Sequence, residues 1–191
     1  MSISTHPNII RDAFTYFAKF PDHDRVMDVF VRPAAGSAFS GYATLKSEIN
    51  ALTEHSLVPE IEGFVFGPDE NVIRKQIEDI GGKIFMFLDY GPINSGEDQT
   101  LKYKTDEFEL ALTIARPYKP DEQDIPELVL LGDETLNALR RVREQMIADQ
   151  KCSPFMKQIL FPHQVLPWYA RDLANSQGWT MVLRRRAIAM L

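Results

Sequence analysis

The chain has 191 residues, 45% of them apolar and 25% charged, with a net charge of −6. That length and apolar content suit one globular domain with its own core and exclude a disordered chain; the negative charge argues against a general nucleic-acid binder. Cys152 is the single cysteine, so no intramolecular disulfide can form, which fits a reducing compartment.

Met1 to Pro7 is polar and lacks the apolar core of a signal segment. Helical spacing begins at Pro7 and runs to Phe20, with Ile10, Phe14 and Phe17 at i, i+4 and i+7. Arg25 to Arg32 reads as a short strand through Val26, Val29, Phe30 and Val31, closed by Pro33. After the small residues of Ala34 to Gly41, Tyr42, Leu45, Ile49 and Leu52 restore helical spacing.

From residue 61 the pattern sharpens. Ile61 to Phe66 reads as a strand, and Pro68 suits the first turn of a helix whose buried face is Ile73, Ile77 and Ile80. Gly81-Gly82 closes that helix. Lys83 to Tyr90 is a strand apolar on both faces and therefore central. It contains the longest apolar run, Ile84 to Leu88, which is far short of the ~20 residues that span a bilayer. The resulting expectation is a soluble, cytoplasmic protein without a membrane partner.

Gly91 to Gln99 is a polar loop, and Leu101 to Ala115 a long strand. In that strand Phe108, Leu110, Leu112 and Ile114 alternate with Glu109, Ala111 and Thr113. Arg116 to Glu127 is rich in proline and acid and reads as a loop. Asp133 then caps a helix to Gln150, with the stripe Leu136, Leu139, Val142 and Met146. Pro154, Pro162 and Pro167 make Lys151 to Gln177 irregular, and Trp179 to Ile188 is the last strand.

The fold expectation is α+β. Residues 61–191 form the core and residues 1–60 an N-terminal helix–strand–helix extension packed on it. The order β-α-β-β-α-β is that of a ferredoxin-like, split βαβ antiparallel sheet with its helices on one face. Ile73, Ile77, Ile84, Met86, Leu88, Leu110, Leu112, Leu139 and Val142 would then share one core.

Candidate chemistry is sparse. No glycine-rich loop carries the Lys-Ser/Thr pair that grips phosphates. Asp22-His23-Asp24 is a local cluster of potential metal ligands, but its place after Pro21 reads as a solvated turn. The acidic Asp121, Glu122, Asp124 and Glu127 lack EF-hand spacing. Cys152 and His163 are eleven residues apart in a proline-broken segment, with no third group to orient the base. The expectation is therefore no catalytic residue, no metal and no cofactor.

Charge is unevenly placed. Residues 1–60 carry 5 basic and 7 acidic side chains, residues 61–132 carry 7 and 15, and residues 133–191 carry 9 and 5. The balances are −2, −8 and +4, an acidic middle followed by a basic tail. Arg184, Arg185 and Arg186 are the candidate partner-binding residues within that tail. On a strand, Arg184 and Arg186 share one side and Arg185 takes the other.

The layout of residues 61–190 resembles that of the small tail-terminator and tail-completion proteins of tailed phages and prophages. The marks are the two long strands Lys83–Tyr90 and Leu101–Ala115, the helix ending near Met146-Ile147-Ala148-Asp149, and the Gly178-Trp179 strand entry. What the resemblance implies is a non-enzymatic structural protein, cytoplasmic or in the virion, which self-associates or docks on other assembly proteins. A small-ligand-binding or regulatory α+β domain is the alternative, and an enzyme with a site assembled from scattered residues a third reading.

Overall fold

A computed structural model describes residues 8–33, 36–68, 70–97, 104–118 and 124–188. The polar start from Met1 to Pro7 and the acidic Asp121 and Glu122 lie outside the described residues.

Three short helices open the chain: α1 (Ile9–Phe17), α2 (His23–Asp28) and α3 (Tyr42–Asn50). Then follow β1 (Gly63–Phe66), α4 (Glu70–Ile80), β2 (Phe85–Glu97), β3 (Lys104–Pro117) and α5 (Ile125–Asp149). A 3-10 turn at Met156–Gln158 leads into β4 (Ile159–Ala170) and β5 (Ser176–Ile188). The protein is thus α+β, with a mixed five-stranded sheet in the order β1-β2-β3-β5-β4. β1 runs parallel to β2, and the other neighbours are antiparallel.

That order corrects the expected sheet. A split βαβ unit places another strand between its two parallel strands, whereas here β1 pairs β2 directly, Gly63 opposite Phe85 and Phe66 opposite Leu88. The helices also divide between both faces. On one face Met86, Leu88, Leu110, Leu112, Ile114, Met181 and Leu183 pack with α1 and with Leu139, Val142 and Met146 of α5. On the other, Ile73 and Ile77 of α4 pack with Val65, Phe85, Phe87 and Ala115. Ile73 and Ile77 therefore leave the single core expected for them. The reason is β2, whose apolar residues on both faces require cover on both.

Three elements differ from their sequence expectation. Residues 25–32 are not a strand. Asp22 accepts a hydrogen bond from the Arg25 amide at 3.2 Å and caps a helix. Val26 and Phe30, four apart, are the residues buried there, while Val31 is 84% exposed. Next, α5 begins at Ile125 instead of Asp133, with Pro126 in its first turn and Asp124 at the cap position. Finally, the segment read as irregular contains β4. Proline is tolerated there because β4 is an edge strand, and Pro162 falls in the register shift between Leu160 and Gln164. The expected loop after Tyr90 is likewise β2 continuing past a shift between Tyr90 and Ile93.

Two glycines are required where they stand. Gly81 takes φ +70° and ends α4. A Cβ on Gly178 would lie 2.0 Å from the Ile114 carbonyl oxygen, so only glycine lets β5 lie this close to β3. The gap above it admits Trp168, which is paired with Gly178 and meets Phe85 edge-to-face at 6.5 Å.

Candidate functional site

The arginine run separates as strand geometry requires. Arg185 is 4% exposed and lies beneath α1. Its Nε donates to Gln158 Oε1 at 2.7 Å, its Nη2 reaches Asp12 Oδ2 at 3.4 Å, and its guanidinium sits 5.1 Å from the Phe155 ring. Burial lowers the guanidinium pKa from its ordinary value, and Asp12 pulls the other way. Arg185 is thus an internal tie between the ends of the chain, and it is unavailable as part of an exposed basic triplet.

Arg184 and Arg186 share the opposite face and both pair with Glu107 of β3, at 3.5 and 3.1 Å. The acidic middle and basic tail meet here within one copy, because β3 and β5 are neighbours. Sequence spacing placed the two arginines on one side. It carried no sign that Glu107 would stand beside them.

The densest polar cluster joins α1 to the end of α5. Lys19 Nζ donates to Asp149 Oδ2 at 2.5 Å, Tyr16 Oη donates to the same oxygen at 2.8 Å, and Gln145 Nε2 donates to Oδ1 at 2.9 Å. Lys19 also lies 4.6 Å from the Tyr16 ring centre. Burial pushes the Asp149 carboxyl up, but the Lys19 and Tyr16 hydrogen bonds outweigh it and hold the group below its ordinary value. Tyr16 is pushed well above the usual phenol range by burial first and Asp149 second. Tyr16, Lys19 and Asp149 are buried and Gln145 is half-buried, so the cluster locks the N-terminal helix onto the core.

The other candidates do not assemble. Cys152 Sγ donates to the Asp149 carbonyl at 3.5 Å, while His163 stacks on Phe161 with ring centres 4.1 Å apart. Among the described residues no hydrogen bond joins the two. Burial, then the charge of Arg143, depresses His163 to about 4, and neither ring nitrogen has a hydrogen-bond partner. Asp22 is a helix cap, and His23 faces His55 with ring centres 4.7 Å apart. Among the described residues no three His, Cys, Asp or Glu side chains gather to hold a metal ion, and no helix is long and apolar enough to cross a membrane.

What remains is a surface. In the first half of α5, Ile125 is 73% and Val129 58% exposed, and Leu136, expected on the buried stripe, is instead exposed on the same flank. The spacing of these residues, four and seven apart, makes a stripe. Gly132 lies within it, and its carbonyl accepts the Trp179 indole N–H at 3.0 Å. The β4 partner of Trp179 is Pro167, flanked on the same side by Val165 and Tyr169, both exposed. Helix α5 covers β3 and β5 but leaves this side of β4 open. The helix stripe and the strand face are therefore neighbours, and together they bring several exposed apolar side chains to one side of the molecule. The first part of the stripe precedes the helix start read from sequence, and β4 was hidden by its prolines. The one available signal was the four-residue spacing of Ile125 and Val129 behind Pro126.

No family model matches the chain, and no curated protein is significantly similar to it.

Proposed function

We propose that this is an assembly protein that acts by docking on protein surfaces, with a second copy of itself as the first partner. The exposed apolar surface formed by α5 and β4 carries this reading. Covering large apolar side chains provides the main favourable term in association. A two-fold contact would cover the same patch on both copies, and closed two-fold pairs are the commonest oligomers. Salt bridges from Arg184 and Arg186 are a weaker basis for assembly, because both side chains are already engaged by Glu107 in the same copy. The layout likeness to phage and prophage tail-completion proteins supports a place in a larger particle, and such a role requires no turnover.

Sedimentation velocity over a wide concentration range tests the proposal. Wild type is expected to form a dimer or larger species, and Val129→Glu with Leu136→Glu to remain monomeric with an unchanged circular dichroism spectrum. An apolar contact should hold, or tighten, as salt rises, whereas one held by the arginines would weaken. A wild-type monomer at every concentration would remove self-assembly.

A further inference from the structure

The opposite face of the sheet holds a separate feature. Between α4 and the hairpin joining β4 to β5 lies a cleft of about 470 Å³, within the range of small-ligand sites. Its floor is Phe87 and Asp89 of β2, Ile73 of α4 forms one wall, and Leu173 of the hairpin forms the other. Arg171 and Asp172 stand at the hairpin lip.

Asp89 is the unusual member. Its neighbours along the strand on this face, Phe85 and Phe87, are buried apolar residues, and the register places Ala111 opposite it on β3. Asp89 itself is half-buried, so its carboxylate loses part of its water and gains from a compensating charge. It accepts a hydrogen bond from the Tyr90 amide, but among the described residues no cation lies within ion-pair distance of it. Burial accordingly raises its pKa, with the Tyr90 amide pulling it down. The charges lining the cleft are two carboxylates and one guanidinium, which leaves it net negative. Apolar walls with one underpaired carboxylate at the floor are complementary to a ligand with a hydrocarbon body and a positive head.

We propose that this cleft binds an organic ammonium group, with Asp89 as its counter-ion and Ile73, Phe87 and Leu173 enclosing the attached hydrocarbon. The ammonium can belong to a free amine or to a lysine side chain of a partner, and the chemistry of recognition is the same. The proposal concerns the cleft on the α4 side of the sheet, which shares one lining residue, Tyr169, with the docking surface on the α5 side; Asp89 and Leu173, on which the test turns, belong to the cleft alone.

Titration of isotope-labelled protein followed by NMR tests it, with n-pentylamine, n-pentanol as its neutral counterpart, and lysine capped at both ends as probes. Wild type is expected to bind the amines saturably, with shifts centred on the amides of Asp89 and Leu173, and to bind pentanol at least about tenfold more weakly. Asp89→Asn keeps the shape and removes the charge, so amine affinity should fall by a similar factor. Leu173→Trp fills the cleft and should abolish binding with Asp89 intact. Tighter binding of capped lysine would identify a protein side chain as the source, and tighter binding of pentylamine a free amine. Equal affinity for pentanol, unchanged affinity in Asp89→Asn, or wild-type shifts centred elsewhere would overturn the proposal. The wild-type measurements decide even where a variant fails to fold.

Discussion

The two halves of α5 are built on opposite principles. Its C-terminal half is enclosed: Ala138, Leu139, Val142 and Met146 face the sheet, and even Asp149 is buried, with three hydrogen-bond donors around it. Its N-terminal half buries Leu131 and Thr135 on the inner side but leaves Ile125, Val129 and Leu130 largely in solvent. One half therefore carries a polar group inside, at a cost that pairing must offset. The other carries apolar groups outside, where the proposed partner would cover them. The contrast teaches that α5 is fastened to its own fold at one end and leaves apolar side chains in solvent at the other.

The largest expected effect breaks the fastened end. Asp149→Asn removes the nearer carboxylate from the buried Lys19 ammonium and leaves it only the exposed Glu54, 3.5 Å away, so the loss should approach that of a broken buried pair, about 3–5 kcal/mol. Urea unfolding measures it. Combining Asp149→Leu with Lys19→Met should recover much of the loss, since no uncompensated charge remains. A single Asn variant as stable as wild type would mean that Glu54 or water compensates the ammonium in place of Asp149.

A truncation in each half sharpens the same contrast. Leu139→Ala, at a position 1% exposed, should cost about 2–5 kcal/mol through lost burial and a cavity. Val129→Ala, 58% exposed, should change the stability of the monomer by no more than about 0.5 kcal/mol. Measured on dilute protein, below the dissociation constant of the proposed dimer, the two values should differ by severalfold or more. At concentrations where the dimer forms, Val129→Ala should lower the apparent midpoint, because association adds stability by mass action.

Proton linkage separates two groups at the fastened half more finely. His163, beside Arg143 of α5, has its pKa pushed down to about 4 from 6.5. The unfolded chain therefore binds a proton between these values that the folded chain refuses, so stability should fall as pH drops from 6.5 toward 4. His163→Phe should flatten that slope. Asp149 has a pKa held below its ordinary value, so its contribution is present above the ordinary carboxylate range and is lost only as pH falls below it. An Asp149 variant should thus leave the slope above pH 5 unchanged, which unfolding midpoints at half-unit pH intervals would show.

Local pattern in the sequence was enough to establish the α+β class, the helices α1, α3 and α4, the central place of β2 and the buried face of β3. In each case apolar spacing matched the period of the element that formed, as Phe108, Leu110, Leu112 and Ile114 do on β3. The same reasoning separated Arg184 and Arg186 from Arg185, because alternation along a strand is a property of the backbone. Only the tertiary structure decided that α4 and α5 lie on opposite faces, that Asp149 is buried against Tyr16 and Lys19, and that Glu107 meets the two outer arginines. The side-chain pairs among these join residues 77 to 133 positions apart, and no local period encodes them. The apolar surface was concealed for a related reason. Periodicity marks a helix face by what the fold buries, whereas Ile125 and Val129 remain in solvent, and the prolines of β4 mark a strand only once the order of the sheet places it at an edge.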